Sequence, residues 1–449
     1  MSTTVYISAW VLLTLLIGSS LAAALLTEDG SWKSAYLPGE TTHGHYQIEL
    51  KCSACHDPES GVTSKSCLEC HEQELEDAND THPASKFNDP TNAARLSVLD
   101  AQNCISCHKE HVPHVTHSMG VSLPDDFCFH CHQEIAEDRP SHQGMAFNTC
   151  QTSGCHNYHD NRALNENFLR KHLEAAEVPE AQTVPTRNGL ERYLAKQKQP
   201  VIPLTTAEVH YPTNIEASDE LIADWAGSAH AKVGLNCSAC HTQDNDMATW
   251  QNAVSHNTCN GCHENETAGF LQGMHGMRLA QGLSPMSPAM ARLPMNPNSL
   301  HAELSCSSCH GPHDADVRVA AVESCLKCHN DEHSLAYRQS PHAQLWQDEL
   351  DGKLPEGSGV SCATCHLPRE VHGSRKSPQT RVQHNQNDNL RPNEKMIRGV
   401  CLSCHDLQFS LDAMHDAAEI QSNFSSSPDH SVESLEMVRK WFESRGNQN

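Results

Sequence analysis

The pentapeptide Cys52-Ser53-Ala54-Cys55-His56 returns so often along this chain that little room remains for an ordinary fold. The same Cys-x-x-Cys-His spacing stands at Cys67, Cys70 and His71, at Cys104, Cys107 and His108, and at Cys128, Cys131 and His132. It recurs at Cys237, Cys240 and His241, at Cys259, Cys262 and His263, and at Cys306, Cys309 and His310. Three more copies follow at Cys325, Cys328 and His329, at Cys362, Cys365 and His366, and at Cys401, Cys404 and His405. A variant at Cys150, Cys155 and His156 has four residues between its cysteines. Eleven copies take 22 cysteines, and the chain has 22. No cysteine is left for a disulfide or a separate thiol site.

The spacing carries a specific chemistry. Two thiols add across the two vinyl groups of one haem, and the histidine that follows is held under the ring to ligate its iron. The rival is structural zinc, because Cys-x-x-Cys is half a zinc knuckle. Zinc needs paired knuckles and does not demand a histidine directly after every second cysteine. The pattern therefore predicts eleven covalent haem c groups, with His56, His71, His108, His132, His156, His241, His263, His310, His329, His366 and His405 as proximal ligands.

Composition agrees. Aromatic residues make up 5 % of 449 residues and hydrophobic residues 37 %, thin for a conventional core of this size. Porphyrins would do the filling that aromatic clusters otherwise do. The expected fold is mainly α with extensive loops, wrapped around a haem chain, with little or no sheet. A net charge of −25 excludes nucleic acid as a partner and suits a basic redox partner, or simply keeps the protein soluble.

The chain divides by motif density. Residues 1–26 include the uncharged run Val5–Leu26, long enough to span a bilayer as a helix. It reads as a signal-anchor, with a cleaved signal peptide as the rival through Ala22 and Ala24. Either places the cysteines outside the cytoplasm, in the periplasm or on the periplasmic side of the membrane. Residues 27–172 hold five motifs, and Asn161–His172 reads as a helix with Leu164, Phe168 and Leu169 near one face. Residues 173–218 have no cysteine and five prolines, which marks a linker with a short helix over Leu190–Gln197. Residues 219–415 hold six motifs. Residues 416–449 form a tail in which Ser431–Glu443 reads as an amphipathic helix, with Val432, Leu435, Val438, Trp441 and Phe442 available for packing.

The second axial ligand decides what a haem iron does. Of 33 histidines, 22 are not proximal, enough for one on every iron. Their number predicts low-spin, six-coordinate centres that pass electrons without binding substrate. His111, His159 and His313 each sit three residues after a proximal histidine, a spacing that can serve a neighbouring haem. His45, His142, His230 and His301 lie shortly before motifs, and His82, His275, His342 and His384 fall in the longer gaps. These eleven are the expected distal set. His117, His333, His372 and His415 stand in reserve, and Met274, Met277 and Met286 are alternatives of higher potential.

With its dense motifs, its Cys-His-x-x-His pattern and one Cys-x4-Cys-His, the first half is similar to the class III, cytochrome c3-like proteins. In the second half, Cys362-Ala-Thr-Cys365-His366-Leu-Pro-Arg resembles the CxxCHMPR stretch of pentahaem nitrite reductases and octahaem hydroxylamine oxidoreductases. Leu367 stands where those carry Met, and their catalytic Cys-x-x-Cys-Lys is missing here. The resemblance implies a multihaem c-type cytochrome. It would carry electrons between a donor and an acceptor protein, attached to the membrane by its N-terminal helix or free in the periplasm. The alternative it implies is an oxidoreductase of a small nitrogen or sulfur compound, working at one open-site haem of the second half.

Overall fold

The structure, a computed structural model, describes residues 3–26, 31–78, 82–139, 142–145, 150, 156–160, 164, 166–173, 184–374, 376–429 and 431–446. Helix α1 (Thr3–Leu26) has no charged residue and no buried face. Its 24 residues rise about 36 Å, enough to cross the roughly 30 Å hydrocarbon layer of a bilayer.

Most of the rest is short helices and 3-10 turns joined by loops. The reason is visible in the chain: prolines and the loops between motifs cut most apolar periods short of three turns. The longer helices are α2 (Ser64–Ala78), α3 (Glu166–His172), α4 (Gly189–Lys196), α5 (Asp219–Gly227), α6 (Glu264–Gln272), α7 (Pro341–Leu350), α8 (Leu407–His415) and α9 (Ser434–Gly446). Several start on side-chain caps. Ser218 Oγ accepts from Leu221 N at 3.2 Å, Ser340 Oγ from Ala343 N at 3.2 Å and Asp406 Oδ1 from Phe409 N at 2.9 Å.

Among the described residues there is one sheet, an antiparallel hairpin of β1 (Arg369–Ser374) and β2 (Ser377–Val382). It follows directly on the motif at Cys362. The fold is thus mainly helical with a two-stranded sheet, as composition predicts.

Side-chain cores are small. In one, Leu164, Phe168 and Leu169 beside and on α3 pack with Met396 and Ile397, with Leu407, Leu411 and Met414 of α8, and with Leu435 and Val438 of α9. Arg398 lies over the Phe168 ring at 4.3 Å and Arg170 over the Phe442 ring at 4.7 Å. The expected helix near residue 161 is seen over Glu166–His172, and residues 161–163 lie outside the described set. A second core joins Val322, Tyr337 and Trp346.

Described residues of the 173–218 stretch lie against the second half. Arg369 Nη1 donates to Pro185 O at 3.0 Å, Arg187 N to Glu356 Oε1 at 3.0 Å and Leu204 N to Ala231 O at 2.9 Å. Asn236 clasps the same stretch, accepting from His210 N and donating to Glu208 O. The expected Leu190–Gln197 helix is observed as α4.

Candidate functional site

Each of the ten Cys-x-x-Cys-His motifs folds as one helical turn. The histidine N–H donates to the carbonyl of the first cysteine: His56 to Cys52 at 2.8 Å, His108 to Cys104 at 2.9 Å, His263 to Cys259 at 2.9 Å, His405 to Cys401 at 2.8 Å. The same bond closes the motifs at His132, His241, His310 and His329. Residues three and four apart share a helix face, so this turn presents both thiols and the imidazole to one side. In the variant motif Cys155 lies outside the described residues, while Cys150 and His156 are described.

The imidazoles come in pairs. His71 faces His45 at 5.9 Å between ring centres, His108 faces His159 at 6.3 Å, His132 faces His82 at 6.1 Å, and His156 faces His142 at 6.2 Å. In the second half His241 faces His313, His263 faces His230, His310 faces His384, His329 faces His275 and His405 faces His342, each at 6.2 Å. His366 faces His333 at 6.1 Å. Direct ring packing has no reason to hold ten pairs within a few tenths of an ångström of one another. An iron held by two imidazole nitrogens at about 2 Å each would put the ring centres about 6.3 Å apart.

Tautomers support the same chemistry. A backbone carbonyl can only accept, so an Nδ1 that bonds to one carries the proton and leaves the Nε2 lone pair for a metal. His82 Nδ1 donates to Tyr158 O at 2.5 Å, His241 to Gln251 O at 2.7 Å and His384 to Val382 O at 2.9 Å. His108 Nδ1 donates to Gly120 O at 3.2 Å, and His333 Nδ1 to Ile420 O. Flat neighbours fix ring orientation. Tyr158 stacks on His82 at 4.1 Å, Trp250 on His241 at 4.7 Å and Phe409 on His405 at 4.7 Å.

The second site uses carboxylates instead, one on each of its two rings. Glu74 Oε2 lies 2.8 Å from His71 Nδ1, and Glu110 Oε1 lies 2.6 Å from His45 Nδ1. Burial opposes charge on Glu110. Hydrogen bonds from His45 and from Thr42 nevertheless hold its carboxyl down at about 2.

Burial also keeps several rings neutral. His275, His342 and His366 are pushed down to about 4, first by burial and then by the facing histidine, so all three are imidazoles at neutral pH, the metal-ligating form. The same burial lifts the Cys365 and Cys401 thiols to about 12.

One cavity of about 3480 Å³ runs through the molecule. Its walls include cysteines of the first five motifs and of those at Cys325, Cys362 and Cys401. Small-molecule pockets measure roughly 300–1,000 Å³, and protein interiors otherwise pack to crystal density. A space of this size, walled by paired cysteines and facing imidazoles, fits several large flat apolar groups. The residues present therefore fit haem c: cysteine pairs to bind it, one histidine below it and a second above.

Of the histidines expected from sequence as distal ligands, nine stand opposite a proximal one: His45, His82, His142, His159, His230, His275, His313, His342 and His384. His301 is exposed and faces no proximal ring among the described residues. His111 donates from Nδ1 to Gly39 O at 2.8 Å and is likewise in no such pair. His333, held in reserve on sequence grounds, takes the position opposite His366. Only tertiary structure shows this, because nothing local to His333 differs from many other histidines. Met274, Met277 and Met286 line the large cavity, while His117, His372 and His415 are bound to local acceptors.

Residues 229–330 match the family model described as cytochrome c3. No curated protein and no solved structure matches the chain. The matched stretch spans the motifs at Cys237, Cys259, Cys306 and Cys325, and the match supports a multihaem c-type cytochrome of electron transfer, with covalently bound haem c.

Proposed function

We propose that the chain carries electrons outside the cytoplasm along eleven covalent haem c groups, ten of them held between two histidines. The observation that carries this reading is the set of ten facing imidazole pairs at the spacing of one iron. Haem c bound at such sites supplies one-electron exchange between ferric and ferrous iron. The chain's own residues do the rest. Paired cysteines fix the ring plane, Nδ1 hydrogen bonds fix the tautomer, and burial excludes water and keeps the imidazoles neutral. Helix α1 suits attachment to a membrane, and the net charge of −25 suits basic donor and acceptor proteins.

The test is the mass of the protein after acid-acetone extraction, with electron paramagnetic resonance of the oxidised holoprotein. Eleven retained haems and a signal dominated by low-spin iron are expected. Zinc without haem would end the reading.

A second reading, an oxidoreductase of a small nitrogen or sulfur compound, is favoured by a single position. All six proximal histidines of the second half face another histidine, including His366 in the Cys362–Arg369 stretch. Among the described residues, His56 is the proximal histidine that faces none, and it is exposed. If one centre binds a small molecule, it is the one at Cys52–His56.

A further inference from the structure

We propose that the ninth motif, Cys325–His329, is a three-way junction, so that the array of sites is branched and not threaded in sequence order. This rests on the reading of the motifs as haem sites given above.

Two of the three neighbours come from adjacent motifs. Ser324 Oγ, directly before the ninth motif, donates to Cys309 O of the eighth at 2.6 Å. On the other side, Cys362 and Ala363 pack against the buried cluster of Val322, Tyr337 and Trp346 that Leu326 of the ninth motif also joins, which places the tenth motif against the ninth.

The third neighbour comes from the other half of the chain. His275 faces His329 at 6.2 Å and begins a turn that ends against the second motif. Along that turn Met274 O accepts from Gln47 Nε2 at 2.6 Å, and Arg278 Nη1 donates to Gln47 O at 2.5 Å. At its end Gln281 Nε2 stands 3.9 Å from Cys70 Sγ, and Lys51 Nζ donates to Gln281 O. His275 and Gln281 are six residues apart, a rise of about 9 Å where the chain is helical. One turn of chain therefore carries the distal histidine of the ninth site on one side and touches a cysteine sulfur of the second on the other. Gln47 is buried, so this is a packed contact and not two surfaces brushing.

The arrangement changes what the chain can do. In a string ordered by sequence, the two halves would meet where the fifth motif passes to the sixth, and there would be two ends. With the second and ninth sites adjacent, three arms leave one point: the first half, the arm through the eighth, seventh and sixth motifs, and the arm through the tenth and eleventh. Such a node can serve more than one acceptor from a single donor.

The experiment is cryo-electron microscopy of the full-length holoprotein in detergent, on material whose haem content has first been counted. Absence of covalent haem would sink the functional reading and leave the junction without meaning. With haem present, the group at Cys325–His329 is expected to have three haem neighbours, one of them carried by Cys67 and Cys70. A map in which the two halves meet at the fifth and sixth motifs, or in which the ninth has only the eighth and tenth beside it, overturns the junction. A second measurement reads the crossing itself. The double variant Lys51→Ala, Arg278→Ala removes two clamps and no iron ligand. Reduction that follows a single phase in the native protein is expected to split in the variant into two phases of about five and six haems. Retention of a single phase also counts against the proposal.

Discussion

His333 and His366 face each other at 6.1 Å, and they do so in the one stretch of the chain that resembles a catalytic haem site. The Cys362-to-Arg369 segment has the local form of an enzyme motif, yet the position above His366 is taken by an imidazole whose Nδ1 is tied to Ile420 O. Arg369, the last residue of that stretch, is nearly buried and bonded to Pro185 O. On the reading proposed above, this stretch serves electron transfer, and the guanidinium holds the 173–218 segment in place.

Removing His333 therefore opens a site that is closed in the native protein. His333→Ala is expected to add a high-spin ferric signal of about one haem per chain, and cyanide should abolish it. His301→Ala, at an exposed position that faces no proximal ring, should leave the spectrum unchanged. A new signal from the His301 variant and none from the His333 variant would reverse the two assignments.

Glu110 tunes the second site through His45. Its carboxylate accepts from Nδ1 at 2.6 Å and so would make the imidazole a stronger donor to a haem iron held there, which would favour the ferric state. Glu110→Gln should raise the potential of that haem by tens of millivolts, where about 59 mV is a tenfold change for one electron. The folded carboxyl sits at about 2, below its ordinary value, so its contribution to stability is fully present above the unfolded pKa. That contribution is lost as the pH falls through the folded value. Acid unfolding of the native protein should thus gain proton uptake between about pH 4.5 and 2 that the Gln variant lacks. Redox titration and acid titration of the two proteins check both statements.

Leu164 is fully buried in the core shared by α3, α8 and α9. Truncation to Ala removes methyl groups from a packed site and should cost about 2–5 kcal/mol. The expected result is a lower urea midpoint for loss of Soret circular dichroism with covalent haem content unchanged. An unshifted midpoint would mean that the haems alone hold this region together.

Helix α1 is uncharged over its whole length and exposes every described side chain. Holoprotein should remain with the membrane after a high-salt wash and come away in detergent. Recovery as a soluble protein whose N-terminus begins near Leu25 would identify the helix as a cleaved signal.

What could be read from sequence is what short range determines. Cys and His at fixed spacing make a helical turn whatever surrounds them, so the motifs, the lack of a large side-chain core and the mainly helical class are all written locally. Facing partners are a different matter. His159 follows His156 by three residues but faces His108, and His313 follows His310 but faces His241. Spacing marks such histidines as able to reach a neighbour without saying which. His384 meets His310 across 74 residues, and His275 meets His329 through a turn held by Gln47 from the other half. Those meetings depend on which loops pack together, and composition holds no record of that. The hairpin after the Cys362 motif escaped for a similar reason, since its strands alternate poorly and are mostly exposed on β1.

The first motif carries the last prediction. His56 is exposed, and among the described residues no second imidazole stands opposite it at the spacing of the other ten. His111, the nearer in sequence of the two expected distal histidines that face no proximal ring among the described residues, is held by Gly39 O and by a left-handed backbone at φ 63°, a conformation that a non-glycine residue adopts only under constraint. Gly39 cannot be enlarged to move it, because a Cβ there would meet the His111 carbonyl at 2.4 Å. His111 is thus set in place by its backbone and by Gly39, and among the described residues its ring faces no proximal histidine. An iron held by His56 alone would be open to a small ligand. Reduced holoprotein is expected to bind about one equivalent of carbon monoxide per chain, and the oxidised protein to show one high-spin centre that nitrite or hydroxylamine shifts. Cys52→Ala with Cys55→Ala should abolish both signals and leave ten haems by mass. His111→Ala should leave both unchanged. If the native protein binds no carbon monoxide and only the His111 variant does, then His111 closes the first site as well and the chain is a carrier at every position.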